Sequence, residues 1–275
     1  MRPAIAAFVF PILAATLATD AGAQDQMQER AAKITKDGGC PDCDLDQFSL
    51  RGLSIEGANF GDASLTEADL KGVTLKGANF ADASLRRAEL EKAVLSGADF
   101  SDARMRNVDL EKADVSGAKF DNADLRDSDF ANANIAKATF KGADLRRALM
   151  RRVTGNETNF RKALMEGIDM ERAILSGSDF TDARLARADL DRAELDSASL
   201  RDADLEDARL TSTNLRGADL TGADLDGALM RRTDLSGADL TDVRGLSARQ
   251  LAMACGDEKT VLPSGMTIRR CNADE

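Results

Sequence analysis

One pattern constrains this chain more than any other: from Cys43 to Val243 it repeats every five residues without an insertion or deletion. The first residue of each block is usually Ala and the third is a large apolar residue, as in "ANFAD ASLRR AELEK". Neither a helix nor an ordinary strand has a period of five. A short straight segment with a small and then a large inward side chain, followed by a corner, does account for it.

The other positions of the block predict the corner and the number of sides. The second residue is commonly Asp, Asn, Ser or Thr, and the fifth is often Gly, which tolerates positive φ. A second period of twenty stacks seven phenylalanines, at positions 60, 80, 100, 120, 140, 160 and 180. Four blocks therefore form one four-sided coil. About ten coils at ~4.8 Å each predict a solenoid about 48 Å long, with the Phe side chains in its core.

These blocks resemble the pentapeptide-repeat family, whose pattern is A-(D/N)-L-x-x, over about 200 of the 275 residues. The resemblance implies an all-β solenoid, a right-handed quadrilateral β-helix. Some cytoplasmic relatives are similar to B-form DNA in width and charge and protect topoisomerases from quinolones. A DNA-mimic inhibitor or protector is therefore one alternative function. The net charge of −11 favours it and the N-terminus opposes it.

The N-terminus predicts export. Residues 1–23 have an Arg at position 2, an apolar run from Ala4 to about Ala18 and an Ala21-Gly22-Ala23 cleavage site, as a secretory signal does. The run is shorter than the ~20 residues that span a bilayer, so no transmembrane segment is expected in the mature chain. We expect a periplasmic or secreted protein with an N-terminal segment or cap over 24–42, the β-helix over 43–244 and a C-terminal cap over 245–275.

The cap should contain a short helix from Ala248 to about Cys255, because Ser247 and Gln250 have the spacing of a capping box. Cys255 and Cys271 then close the tail, a pairing supported by the resemblance of "ACGD…LP…C" to the ending of exported family members. The two ends of the rod are too far apart to be joined by a disulfide, so both pairs should be local.

The stretch "CPDC" from Cys40 to Cys43 has three readings: a redox-active pair, half of a metal site or a structural clasp. An exported chain meets an oxidising compartment, where disulfides form first. Cys43 also occupies the inward position that Ala holds elsewhere, which favours a Cys40–Cys43 clasp, with buried free thiols as the next reading.

Catalysis has little support in this sequence. The chain lacks His, which is the commonest general base and the commonest metal ligand. No phosphate-binding loop or zinc spacing is present, so we expect no enzyme, no catalytic or metal site and no cofactor. An outward row of acids suggests Ca²⁺, but nearby Lys92, Lys112, Arg172 and Arg192 are expected to neutralise it. The row consists of Asp69, Glu89, Asp109, Asp129, Asp169 and Asp189.

An arginine column is the strongest candidate binding surface. Arg86, Arg106, Arg126 and Arg146 recur every twenty residues and should stack on one side of the rod. They would form a stripe for an anionic glycan, a phosphate or an acidic protein. The alternative is a solvated surface in which Asp124, Asp127 and Asp144 balance the arginines.

Two other outward features are weaker. Gly155 is the one block centre without an apolar side chain, so either the wall bulges there or a void opens between Ile135 and Leu175. A few outward positions are apolar without forming one patch, although a homodimer is compatible with the sequence. These positions are Val94, Leu149, Leu164, Ile174 and Leu229.

The sequence thus predicts an exported, non-catalytic, rigid scaffold that binds an unidentified protein or envelope polymer. The acidic balance makes nucleic acid an unfavourable partner, because nucleic acid attracts positive surface. A redox protein that uses Cys40 and Cys43 is a third hypothesis.

Overall fold

The structure is a computed structural model, and it describes residues 29–271. The described chain coils in four-sided turns of twenty residues. Each side contributes one residue to a parallel ladder that pairs residue i with residue i+20, from Asp44 with Ser64 to Asp224 with Arg244. These are isolated bridges, and no longer strand forms among the described residues. The predicted four-sided coil is therefore present, with a single bridging residue on each side.

The backbone hydrogen bonds explain why a block has five residues. In block 68–72 every N–H has an acceptor: one in the turn, one in the preceding coil, two in the next coil and one on the side chain two residues earlier. The bonds are Ala68 N to Leu65 O (3.1 Å), Asp69 N to Phe48 O (3.0 Å), Leu70 N to Glu89 O (2.8 Å), Gly72 N to Glu91 O (3.0 Å) and Lys71 N to Asp69 Oδ1 (3.1 Å). The Asp or Asn at the second position thus satisfies a corner N–H that the ladder leaves unpaired.

The corner also explains the glycines. The fifth residue of every block lies in the left-handed region, with φ between 55° and 72° from Asp42 to Asp242. Gly adopts this conformation without strain, which accounts for its frequency there. Many blocks nevertheless place a charged residue at this corner, such as Arg87 or Lys92. The cooperative ladder on both sides outweighs the local preference of each residue.

The interior matches the predicted alternation of small and large residues. The first and third residues of the blocks are buried along the rod, and the large ones stack on their equivalents in neighbouring coils. The predicted phenylalanine ladder is confirmed: rings from Phe60 to Phe180 stack with centroids 4.8–5.1 Å apart. Phe130 packs edge-on between Phe120 and Phe140 from another side of the coil, at 5.9 Å from each.

Both predictions for Gly155, a bulge in the wall and a void in the core, were wrong. The ladder passes through this block without a bulge, because Thr154 bridges both Asn134 and Ile174 and Gly155 N bonds to Ile174 O at 2.7 Å. No void opens either. A Cβ at residue 155 would lie 2.5 Å from Ile135 Cγ1 and 2.8 Å from Leu175 Cδ2, so these two side chains occupy the space.

Helix α1 (residues 29–37) precedes the first coil. Its Ile34 side chain is buried against the core, and Gly39 begins the ladder by bridging Asn59. The sulfurs of Cys40 and Cys43 are bonded to each other at this end.

Helix α2 (Ala248–Met253) lies at the other end of the rod, with Ser247 as its N-cap and the predicted capping box with Gln250. The helix is two residues shorter than predicted. Ala254 is extended, and Cys255 pairs with Asp234 in the ladder, so the chain returns to the solenoid before Gly256. Gln250 Nε2 donates to the carbonyls of Leu225 and Ala228, which the last coil would otherwise leave without a bond to a following coil.

Candidate functional site: an arginine column at one corner

The arginine column stands at one corner of the rod. Each of its members is the fourth residue of a block, and the second residue of the same block lies on the adjoining side. The second residues are Ser84, Arg104, Asp124 and Asp144. Because the residue two positions earlier changes along the column, the four arginines have different surroundings.

The two C-terminal members of the column are paired, and we call Arg126 and Arg146 the paired arginines. Arg126 donates from Nε and Nη2 to both carboxylate oxygens of Asp124, at 2.7 and 2.5 Å, and its Nε also lies 3.3 Å from Asp144. Arg146 binds Asp144 in the same bidentate way, at 2.8 and 2.6 Å. The predicted balance by acids therefore holds for this half of the column.

These ion pairs shift the pKa values of the carboxylates and of the guanidinium groups. Burial raises the pKa of Asp124, but hydrogen bonds and positive charge from Arg126 lower it by more, so the net pKa is below the usual value. The hydrogen bonds that Arg126 donates to Asp124 raise the pKa of Arg126 above its usual value. Neighbouring Asp127 has a lowered pKa, chiefly because Arg147 donates to it.

The two N-terminal members are free of close partners, and we call Arg86 and Arg106 the open arginines. Among the described residues Arg86 makes no ion pair; its charge adds weakly to the lowered pKa of Asp46, whose largest cause is a hydrogen bond from Ser64. Arg106 has one distant acid, with Nη2 3.8 Å from Asp127. Its Nε is buried and has no hydrogen-bond partner.

The open arginines line a groove of about 430 Å³. Thr66, Glu67, Arg87 and Asn107 complete its walls. Glu67 is occupied by Arg87, at 3.2 Å, and by Gln47, at 3.1 Å. The groove therefore offers the Arg86 guanidinium, which has no ion pair within residues 29–271, and the Arg106 guanidinium, whose acid lies 3.8 Å away. Hydroxyl and amide groups lie beside them, and this set of donors suits an anionic group. Sequence reasoning missed Arg104, which is exposed beside this groove and has no ion pair within residues 29–271.

The comparison with known families decides what kind of protein this is. The family model described as "Pentapeptide repeat region" matches residues 83–160, and "Pentapeptide repeats (8 copies)" matches 43–82, 156–192, 173–212 and 208–244. The chain belongs to the pentapeptide-repeat family. Its repeats account for 43–244 without a gap.

Solved structures of other pentapeptide-repeat proteins are similar to this one. HetL, which is involved in heterocyst differentiation regulation in Nostoc sp. Strain PCC 7120, is 28% identical; the match covers 84% of this chain and 97% of HetL, with a TM-score of 0.40. QnrB1, a plasmid-mediated fluoroquinolone resistance protein, is 18% identical over 78% of this chain and 92% of its own, with a TM-score of 0.48. Among curated protein sequences, none matches at a significant level.

Four of the six members of the acidic row of this pentapeptide-repeat protein pair with other bases than those predicted, and Asp109 and Asp129 make no ion pair within residues 29–271. Lys92, Lys112, Arg172 and Arg192 turn away to Glu91, Glu111 and Glu171. Bases from neighbouring coils, eighteen residues earlier or twenty residues later, pair with these four carboxylates instead. These pairs are Arg51–Asp69 (3.0 Å), Lys71–Glu89 (3.1 Å), Arg151–Asp169 (2.5 Å) and Arg209–Asp189 (3.6 Å).

The second pair of cysteines lies in the C-terminal cap. Cys255 and Cys271 are bonded to each other, beside Asp234. Three potential ligand atoms from these residues lie within 4.8 Å of one another, but a disulfide sulfur is not the thiolate that a metal needs.

The exposed apolar residues are scattered, and nothing in the described chain joins them. Leu149, Ile174 and Leu229 are 40–52% exposed, whereas Val94 and Leu164 are half-buried. Val261 in the cap is also exposed, which the repeat pattern does not foretell. Within residues 29–271 no helix is long and apolar enough to cross a membrane.

Proposed function

We propose that this protein is exported and works as a rigid, non-catalytic scaffold, and that the open arginines bind an anionic group of a partner protein or envelope polymer. The observation that carries the proposal is the contrast within one column. Arg126 and Arg146 are bound by carboxylates, while within residues 29–271 Arg86 has no ion pair and the buried Nε of Arg106 has no hydrogen-bond partner. A guanidinium that no carboxylate holds is available for charge-assisted hydrogen bonds, so an anionic ligand gains more from the open arginines than from the paired ones.

Rigidity supports the scaffold role. The parallel ladder continues through the coils that carry the column, because Ser84 bridges Arg104 and Arg104 bridges Asp124, so the guanidinium groups stand on a hydrogen-bonded frame. We propose that the solenoid is right-handed and has about ten coils, as the family resemblance implies. The export signal over 1–23 lies outside the described residues, and the local cysteine pairs agree with an oxidising compartment.

Cell fractionation tests the location. We expect the protein in the periplasm or medium, beginning at Gln24, with no free thiol by mass spectrometry of the non-reduced chain. An uncleaved protein in the cytoplasm would overturn the proposal and favour the DNA-mimic alternative.

Matched variants test the surface. Arg86→Gln/Arg106→Gln removes the open arginines, and Arg126→Gln/Arg146→Gln removes the same number of charges from the same column. A heparin oligosaccharide serves as the anionic probe at low ionic strength, where surface charge acts most strongly. We expect the first double variant to bind about tenfold more weakly, as loss of charge-assisted hydrogen bonds predicts, and the second to bind as the unchanged protein does. Equal losses in both would assign the binding to net charge and refute the site.

Crosslinking in the native envelope identifies the natural partner. The partner should be captured by the protein and by the Arg126→Gln/Arg146→Gln variant, and lost with Arg86→Gln/Arg106→Gln. Absence of any captured partner, together with no effect of deleting the gene, would contradict a scaffold role.

A further inference from the structure

A second recess lies on the same corner, nearer the C-terminal end. Two positions that carry long side chains in neighbouring coils are occupied here by Gly167 and Ala186. Their small size leaves a notch of about 600 Å³, walled by Arg146 and Arg147 on one side and by Glu206 on the other. We call this recess the Glu166 notch, since that residue also lines it.

The floor of the notch holds an unsatisfied carboxylate oxygen. The side chain of Glu166 is 14% exposed, and its Oε1 lies 2.9 Å from Arg184 Nε in an ion pair. Its Oε2 is buried and has no hydrogen-bond partner. A buried acceptor of this kind is normally satisfied in a working state of the molecule, because an unmade bond to a charged group is costly.

Four arginines and three acids line the notch, but the acids are less fully paired than the arginines. Arg146 and Arg147 line it, but their guanidinium groups are held by Asp144 and Asp127, which are outside the lining. Arg184 is occupied by Glu166 itself.

The remaining charged groups in the lining are Arg187, Asp204 and Glu206, and none of these makes an ion pair within the described chain. Two unpaired carboxylates therefore stand against one unpaired guanidinium. The Oε2 of Glu166 adds an acceptor but no further charge, because Arg184 balances that side chain. This balance favours a cation.

From these observations we infer that the Glu166 notch receives an arginine side chain of a partner protein. A guanidinium carries five N–H donors in a planar fork, so it satisfies Oε2 and the neighbouring carboxylates together. The inference rests on the proposed binding function and extends it, because it gives the partner a basic residue as well as an anionic group. The rod then has two recesses on one corner, one that binds an anionic group and one that binds a cationic group.

The probe is the capped peptide acetyl-Gly-Arg-Gly-amide, titrated into the full mature protein and followed by amide NMR. We expect saturable shifts centred on Gly167 and Ala186, weakened by salt. Acetyl-Gly-Asp-Gly-amide should produce no saturable shift at these amides.

Ala186→Arg should abolish the shifts, because the new side chain fills the notch. Arg is the ordinary residue at this position of the column, so the fold should accept it. Ala81→Arg is the matched control, since it makes the same substitution at the fourth position of another block, on a different corner. This control should bind the probe as the unchanged protein does.

Glu166→Gln keeps the shape of the notch and removes the charge, so we expect the peptide to bind at least about tenfold more weakly. Unchanged affinity in Glu166→Gln, preference for the aspartate peptide, or shifts spread over the surface would each overturn the inference. The titration needs no natural partner, so its failure leaves the crosslinking result intact. Conversely, a failure to capture a partner leaves the peptide measurement standing.

Discussion

The open and the paired arginines occupy the same position in the repeat, on the same corner, yet their guanidinium groups have opposite availability. The difference lies two residues earlier. Asp124 and Asp144 grip the arginine of their own block, whereas Ser84 provides no charge and Arg104 adds a like one. An arginine at the fourth position can be paired by an acid two residues earlier, as Arg126 is by Asp124, or eighteen residues later, as Arg51 is by Asp69. Arg86 has Ser84 and Arg104 at these two places, so neither supplies a carboxylate.

The comparison shows how a repeat protein can vary its surface without altering its frame. The second residue of a block bridges to the next coil whatever its side chain is, so Ser84, Arg104 and Asp124 all fit the ladder. A substitution at this position can therefore change the surface charge of one coil without altering the ladder. Three predictions test this conclusion, from the largest expected effect to the smallest.

Converting the open half into the paired pattern should remove binding. We expect Ser84→Asp/Arg104→Asp to weaken the heparin probe by more than about tenfold, because each new carboxylate grips the arginine of its block. The measurement is a binding titration at low ionic strength. Lys119→Asp/Ser199→Asp makes the same change in net charge on another side of the rod and should weaken binding much less. Equal losses would mean that net charge alone decides.

The reverse change should create binding. Asp124→Ser/Asp144→Ser frees Arg126 and Arg146, so the probe should bind about threefold to tenfold more tightly, as expected for added charge contacts. The thermal midpoint should fall only slightly, since exposed ion pairs contribute about 0–1 kcal/mol each. An unchanged affinity would show that these arginines face away from the groove.

The pairing should also appear in the dependence of stability on pH. Since the pKa of Asp124 is lowered on folding from its usual 3.8, its pairing stabilises the folded state above that pH, and this contribution is lost as the pH falls further. Asp124→Asn keeps the corner acceptor and should lower the free energy of unfolding by about 0.5–1 kcal/mol at neutral pH. The difference from the unchanged protein should vanish in acid.

Urea unfolding across the pH range provides this measurement. Asp82→Asn, at an exposed carboxylate without an ion pair within residues 29–271, is the control. A difference for Asp124→Asn that stays constant down to low pH would refute the electrostatic account.

Only some of the ion pairs could be predicted from the sequence. The acidic row was expected to meet Lys92 and Lys112, which follow it closely in the chain, but these lysines contact Glu91 and Glu111. Asp69 and Glu89 instead meet bases eighteen residues earlier, Arg51 and Lys71. Proximity along the chain misled because neighbours in the stack, twenty residues apart, lie as close as neighbours in sequence.

The sequence by itself determined the frame of this protein. A strict period of five with a period of twenty above it fixes which residues point inward, where the corners fall and which coils stack, since each coil must hydrogen-bond to the next. The capping box of helix α2 could likewise be predicted, because it depends on two residues three positions apart.

Only the tertiary structure decided how particular side chains settle. It showed that Ile135 and Leu175 fill the space at Gly155 and that Cys255 lies in the ladder and not in the helix. It also showed that Arg106 Nε and Glu166 Oε2 have no hydrogen-bond partner in the part of the chain that the structure describes. The repeat sets backbone positions to within a coil. Each long charged side chain has several oppositely charged groups at similar distances. Which of them it contacts depends on the packing around all of these groups together.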